Sequence, residues 1–187
     1  MASSSSLLSP HSVWIVGGGF AGLSAAAALR RIAGVPHVTI LEQSDADDYY
    51  GGDDSPPAAA SQLGPNGLRA LQRIGGDELL DKLLRDGDAL THVGVMVAPS
   101  TVMLIPDTSM EDTGKPQLLI QWKVLRRHLQ DLLPKESIHT SAGRGVCGYK
   151  RVDTHDGPSI LLLDRNGDEV PGGVEAPAPS LLITAGM

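Results

Sequence analysis

Aromatic residues, cysteine and basic charge are all scarce in this chain of 187 residues. One Phe, two Trp and three Tyr make up 3% of it, so Ala, Val, Leu and Ile must fill the core. The single cysteine, Cys147, excludes an internal disulfide and a zinc–thiolate cluster, and it predicts a reducing, cytoplasmic compartment. Fifteen Lys and Arg against 22 Asp and Glu give a net charge of -7, which disfavours nucleic acid and anionic lipid as partners.

Long apolar runs and metal-ligand clusters are also missing. No uncharged apolar run is long enough to cross a bilayer, so we expect no membrane span. The six His are scattered, and the acidic run over residues 45–54 lacks the alternation and closing Glu of a calcium loop, so we expect no metal. Residues 1–11 are serine-rich and have no charged start, which predicts a flexible tail rather than a secretory signal.

A strand–helix–strand pattern follows this tail. Residues 13–16 form a short apolar run that is typical of a buried parallel strand. Residues 23–33 are rich in helix formers and are followed by Gly34, a helix stop. Residues 38–41 predict a second strand that ends at Glu42. The alternation predicts an α/β fold with a Rossmann-like βαβ unit on a parallel sheet.

Three glycines lie between the first strand and the helix, in the spacing Gly-x-Gly-x-x-Gly. Gly17 permits a tight turn, Gly19 lets the backbone approach a diphosphate, and Gly22 lets the helix pack closely on the strand. Glu42 follows Gly22 by 20 residues (42 − 22) and can accept hydrogen bonds from ribose hydroxyls while repelling a 2′-phosphate. The pattern predicts FAD or NAD rather than NADP; a glycine-rich turn without a ligand is the alternative.

Three stretches of sequence carry a family likeness. They read IVGGGFAGL at 15–23, LGPNGLRALQRIG at 63–75 and WKVLRRHLQDLL at 122–133. Together they resemble the FAD-dependent aromatic-ring monooxygenases, the salicylate- and para-hydroxybenzoate-hydroxylase-like flavoproteins. The resemblance implies a FAD-binding domain, NAD(P)H as co-substrate, and O2-dependent hydroxylation of an aromatic or similar small molecule.

The resemblance also implies a set of cofactor-binding residues: Gly17, Gly19, Gly22, Glu42, Ala60 and Arg126. Ala60 is the nearest match to a small-residue turn whose backbone meets the cofactor. Arg126, three residues before Leu129, matches the helix arginine that contacts the flavin in the family. On the residues alone, Arg126 would be a solvated helix arginine, and Asn66 would be the N-cap of a helix over 67–74. No catalytic acid, base or nucleophile is predicted.

The domain organisation follows from these motifs. Residues 12–90 are predicted to form the dinucleotide-binding βαβ region. Residues 91–120 alternate between apolar and polar side chains and are interrupted by prolines. They are predicted to form a partial substrate-domain insertion of antiparallel strands. Residues 121–187 are predicted to return to the FAD-binding domain. In the family, an Ala-Asp-Gly motif and, much later, a Gly-Asp motif follow the strand that corresponds to residues 181–184. Neither motif follows that strand here. The resemblance therefore predicts the N-terminal half of such a protein, truncated before them.

Three functions remain open at this point. The chain could be a flavin-dependent monooxygenase when completed by the missing half. It could instead be a non-catalytic FAD- or NAD-binding module, or an incomplete product without turnover. An unpaired sheet edge would promote association in the last case, which allows a homo-oligomer. The substrate and the choice between NADH and NADPH are not indicated.

Overall fold

The computed structural model describes residues 12–46, 49, 59–98, 101–140, 145–154, 157–170 and 181–184. The predicted tail over 1–11 lies outside these residues, as does most of the acidic run. The chain divides into two compact units, Met1–Gly52 with Leu129–Met187 and Asp53–His128. Parallel and antiparallel sheets are both present, which confirms the predicted mixed α/β class.

The described strands are β1 (Ser12–Val16), β2 (His37–Glu42), β3 (Ala60–Leu63), β4 (Asp88–Ala89), β5 (His92–Ala98), β6 (Thr101–Pro106), β7 (Leu118–Gln121), β8 (Ile138–Thr140), β9 (Gly148–Thr154), β10 (Gly157–Leu163) and β11 (Leu181–Thr184). The described helices are α1 (Phe20–Arg31), α2 (Pro65–Asp86), α3 (Ser109–Thr113) and α4 (Trp122–Gln130), with a 3₁₀ turn at Lys135–Ser137.

The first unit is built on a parallel sheet with the strand order β11-β1-β2-β8. All five residues of β1 are buried, as expected for a central strand covered on both faces. Val13 and Ile15 of β1 and Ile40 of β2 are fully buried, and each contributes about 1.5–3 kcal/mol through burial. An antiparallel pair, β9 with β10, belongs to the same unit.

Helix α1 connects β1 to β2 and completes the predicted βαβ unit. Leu23, Ala26 and Ala27 form its buried face. The helix begins at Phe20, three residues before the predicted start (23 − 20), because the Gly19 carbonyl already accepts the N–H of Leu23 at 2.9 Å. It ends before Gly34, whose φ of +70° suits glycine.

Gly22 allows this helix to lie against the turn that precedes it. A Cβ built on Gly22 would lie 1.9 Å from the carbonyl oxygen of Gly17, which no real contact allows. A Cβ built on Gly19 would have no atom within 4 Å. The two glycines therefore differ in what they permit: close packing in one case, open space in the other.

The second unit combines α2 with an antiparallel sheet of order β3-β7-β4. Buried leucines give α2 its packed face: Leu68, Leu71, Leu79, Leu80 and Leu83. Gly76, with φ of +76°, breaks α2 just after the end of the helix that the sequence predicted over 67–74. The predicted N-cap was wrong: Gly64 is the N-cap, because Pro65 fits the first turn and brings Asn66 inside the helix.

The hairpin of β5 and β6 exposes an unusual amount of apolar surface. Val102, Met103, Leu104 and Ile105 are consecutive, and their exposed fractions lie between 42% and 66%. Neighbouring residues of a strand point to opposite faces, so both faces of the ribbon carry exposed apolar side chains. Neither strand contains Lys, Arg, Asp or Glu to discourage edge pairing.

Among the described residues, no helix is long and apolar enough to span a membrane. The same part of the chain contains no group of three or more His, Cys, Asp or Glu side chains that could hold a metal ion.

The exposed ribbon predicts self-association that a single charge will reduce. Leu104 is 66% exposed, so Leu104→Lys should change the free energy of unfolding by about 0.5 kcal/mol or less. Repulsion between lysines on identical strands should lower concentration-dependent light scattering several-fold. Leu104→Val keeps the apolar surface and serves as the control. Equal scattering by Leu104→Lys and the wild type would contradict the prediction.

The packing around Gly22 predicts a large difference between two glycine substitutions. Gly22→Ala forces α1 away from the Gly17 carbonyl and should lower the free energy of unfolding by about 1–3 kcal/mol or more. Gly19→Ala, with open space and a φ of -73°, should stay within about 1 kcal/mol of the wild type. Urea denaturation of both variants measures the difference, and equal stabilities would show that α1 packs differently.

Candidate functional site

The carboxyl ends of β1 and β2 meet at the turn formed by Gly17, Gly18 and Gly19, which we call the glycine corner. Gly17 has a φ of +100°, a backbone conformation that side chains with a Cβ rarely adopt. Its N–H donates a hydrogen bond to the carbonyl of Leu41 at 2.9 Å, so the corner is tied to the end of β2. Crevices at the carboxyl ends of parallel strands are the usual ligand sites of such sheets.

The Glu42 carboxylate faces this corner. Its Oε2 accepts a hydrogen bond from the N–H of Gly18 at 2.7 Å. Its Oε1 accepts from both the N–H and the hydroxyl of Ser44, each at 2.9 Å. The first unit thus brings together four of the predicted site residues: Gly17, Gly19, Gly22 and Glu42.

A cavity of about 270 Å³ adjoins the corner. Its lining comes from the ends of β1 and β2 and from the segment before β9: Val16, Gly17, Leu41, Glu42, Gln43, Gly145, Val146 and Cys147. The volume lies just below the range of about 300–1,000 Å³ that is typical of small-molecule pockets, so it suits one portion of a dinucleotide. No sequence pattern marks residues 145–147 as part of the site, because they reach it only through the tertiary fold.

Tyr49 also belongs to the corner, and the sequence did not single it out. Its side chain is 2% exposed, and its hydroxyl donates a hydrogen bond to the carbonyl oxygen of Gly18 at 2.7 Å. A Cβ built on Gly18 would lie 2.5 Å from the Tyr49 oxygen and 2.9 Å from Oε2 of Glu42. A side chain at this position would therefore displace the Tyr49 hydroxyl or the Glu42 carboxylate.

The remaining predicted positions, Ala60 and Arg126, belong to the second unit. Ala60 begins β3 and pairs with Gln121, and the N–H of Trp122 donates to the carbonyl of Ala59 at 2.9 Å. The start of α4 is thereby held beside the start of β3. The Arg126 guanidinium lies over the indole ring of Trp122, 4.2 Å from its centroid, in a cation–π contact.

Helix α4 is also held at the far end of α2. Nε2 of His128 lies 2.8 Å from Oδ2 of Asp86, and the His128 side chain is 10% exposed. Hydrogen bonds from Arg85 first, and from His128 second, lower the pKa of Asp86 below its ordinary value of 3.8. A carboxyl with a lowered folded-state pKa stabilises the fold at neutral pH, and this contribution is lost as the pH falls through that lowered pKa.

The arrangement in the first unit is suited to binding a dinucleotide. The N-terminus of α1 offers backbone N–H groups to an anion, and the first turn of α1 contains no acidic residue to oppose it. The carboxylate at the end of β2 is an acceptor for sugar hydroxyls. Groups of this kind can recognise and orient a ligand.

Comparison with known proteins agrees with this geometry. Residues 15–47 match the family described as NAD(P)-binding Rossmann-like domain. The 3-amino-4-hydroxybenzoate 2-monooxygenase PtmB3 of Streptomyces platensis is 33% identical over 157 residues, which are 83% of this chain and 36% of that protein.

Solved structures show the same fold. Klebsiella pneumoniae HpxO, complexed with FAD and uric acid, superposes on 92% of this chain and 38% of its own with a TM-score of 0.60 and 21% identity. The p-nitrophenol 4-monooxygenase PnpA from Pseudomonas putida DLL-E4 covers 84% of this chain and 37% of its own, with a TM-score of 0.58 and 22% identity.

The chain thus spans little more than a third of the length of these proteins. The predicted resemblance is confirmed by the sequence relative and by the shared fold. Over that part of their length the chain is similar to these monooxygenases, and its residues 15–47 match a Rossmann-like NAD(P)-binding domain.

Proposed function

We propose that the chain binds FAD and forms the dinucleotide-binding part of a flavin-dependent monooxygenase. The observation that carries this proposal is the glycine corner, where open space at Gly19 lies at the N-terminus of α1. The diphosphate of FAD meets the backbone N–H groups there, and no Cβ stands in its way. Glu42 faces the same corner, in position to accept hydrogen bonds from the adenosine ribose.

The residues of the first unit fit the ADP half of the cofactor. Gly22 keeps α1 against the corner, so the helix N-terminus lies where the diphosphate binds. The Glu42 carboxylate would repel a 2′-phosphate, which favours FAD or NAD over NADP at this site. We assign the adjoining cavity of about 270 Å³ as the adenosine-binding site.

The second unit supplies the proposed flavin contacts. Arg126, whose guanidinium lies over the indole ring of Trp122, is the proposed flavin contact on α4. Ala60 offers its backbone at the start of β3, beside the first turn of α4. Both assignments rest on the family resemblance.

Bound FAD would supply the redox chemistry for NAD(P)H- and O2-dependent hydroxylation, while the protein binds and orients it. We propose an aromatic or similar small molecule as the substrate class, in line with the benzoate named for the Streptomyces platensis relative. Cytoplasmic location is proposed from the single cysteine and the nicotinamide co-substrate. A homo-oligomer is proposed as well, since the exposed apolar side chains of β6 offer a surface for pairing between copies.

A second candidate function is binding of NAD without turnover. The match of residues 15–47 to an NAD(P)-binding domain favours it, because FAD and NAD share the glycine corner and the ribose-binding acid. The two candidates differ in the preferred ligand. Parallel titrations with FAD and NADH therefore separate them.

Binding of FAD tests the proposed function directly. Titration into the wild-type chain should quench flavin fluorescence and raise the melting temperature. Gly19→Ala places a methyl group where the diphosphate binds and should weaken FAD at least tenfold without loss of stability. Gly64→Ala is the matched control, since Gly64 is also an N-cap glycine with open space around it. Tighter binding of NADH than of FAD would favour the second candidate, and binding of neither would end both.

Alkylation of Cys147 tests the proposed adenosine-binding site, because Cys147 is the one cysteine in the sequence and lines the cavity. Its thiol is exposed and should react with iodoacetamide in the ligand-free protein. ADP at ten times its Kd leaves about one tenth of the protein free, so alkylation should slow about tenfold. Riboflavin, which lacks the ADP half, should give no protection. Unchanged alkylation of protein that is saturated with ADP would place adenosine elsewhere.

A further inference from the structure

The middle glycine of the corner is held by a side chain on each of its two polar groups. The N–H of Gly18 donates to Glu42 at 2.7 Å, and the carbonyl of Gly18 accepts from the Tyr49 hydroxyl at 2.7 Å. Gly18 and Tyr49 are both buried, with Tyr49 only 2% exposed. Leaving a buried carbonyl oxygen without a hydrogen-bond donor costs free energy. The hydrogen bond from Tyr49 therefore favours the orientation in which the Gly18 carbonyl points toward the Tyr49 hydroxyl.

Peptide planarity carries that orientation to the next residue. The carbonyl of Gly18 and the N–H of Gly19 belong to one planar trans peptide and point in opposite directions. When Tyr49 holds the carbonyl, it also directs the Gly19 N–H away from itself. Gly19 is the N-cap of α1 and the glycine with open space, where the diphosphate is proposed to bind.

We infer that Tyr49 is a positioning residue for the diphosphate site. Its hydroxyl fixes the peptide between Gly18 and Gly19 before the ligand arrives, so the Gly19 N–H needs no reorientation on binding. Glu42 fixes the peptide on the other side of Gly18 in the same way. This role rests on the proposed function, because it presumes that the corner binds a dinucleotide.

The surroundings of Tyr49 distinguish this role from simple core filling. A phenylalanine would fill the same volume, but it could not donate to Gly18. The Tyr49 oxygen lies 2.5 Å from the position of a Gly18 Cβ, so the ring is seated directly against the corner. The N–H of Tyr49 also donates to the carbonyl of Asp45 at 2.9 Å, which ties the tyrosine to the chain that follows β2.

The test compares Tyr49→Phe with Tyr149→Phe. Tyr149 is 66% exposed on β9 and serves as the matched control for loss of a tyrosine hydroxyl. Calorimetric titration with ADP, well below the melting temperature, should give a Kd about fivefold to tenfold higher for Tyr49→Phe. Adenosine, which has no diphosphate, should bind wild type and variant equally, and Tyr149→Phe should match the wild type for both ligands.

Each outcome decides between positioning and packing. Equal loss of ADP and adenosine affinity, or a lower melting temperature with unchanged ADP affinity, would reduce Tyr49 to a packing role and overturn the inference. In both cases the proposed function would stand, since the wild type still binds. Failure of the wild type to bind ADP and FAD at all would overturn the proposed function and the inference together.

Amide hydrogen exchange in the wild type provides a second test that does not require the variant to fold. A corner fixed by Glu42 and Tyr49 should show slow exchange of the Gly18 N–H without ligand, and ADP should slow the Gly19 N–H further. Fast exchange at Gly18 that becomes slow only with ADP would show that the corner is not fixed in advance, and the inference would be wrong.

Discussion

The close approach of α1 to the Gly17 carbonyl is the constraint on which the first unit depends. It exists because Gly22 has no Cβ; an added methyl group would lie 1.9 Å from that oxygen. The contact fixes where α1 begins relative to β1, and the hydrogen bond from Gly17 to Leu41 fixes the end of β2 beside it. Glu42, the next residue along, meets the corner as a consequence.

An acidic chain with a net charge of -7 must bind an anionic diphosphate by local rather than global electrostatics. The corner offers backbone N–H groups and a helix whose first turn contains no acidic residue, which suits such local binding. The one nearby carboxylate, Glu42, is directed to the Gly18 N–H and to Ser44. Its charge is therefore partly balanced by hydrogen-bond donors, and the proposed role in sugar recognition would use a carboxylate that is already oriented.

The sequence predicted the parts of the site that local chemistry dictates. The βαβ unit and the break at Gly76 follow from periodicity and from glycine, which act within a few residues. The cap at Asn66 was wrong because Pro65 at the preceding position is as good a helix start. Tyr49 meets Gly18 across 31 residues, and no pattern in a single sequence marks such a contact.

The glycine corner and the β5–β6 ribbon belong to different units of the chain. Every hydrogen bond described at the glycine corner joins residues between Gly17 and Tyr49, within one compact unit. The uncharged β5–β6 ribbon lies in the other unit, and a two-stranded ribbon has little stability of its own. Changes in that ribbon will therefore affect solubility and any substrate pocket more than the affinity for the diphosphate. The proposed diphosphate contact lies within the corner, whereas hydroxylation would need a bound flavin and an enclosed substrate together.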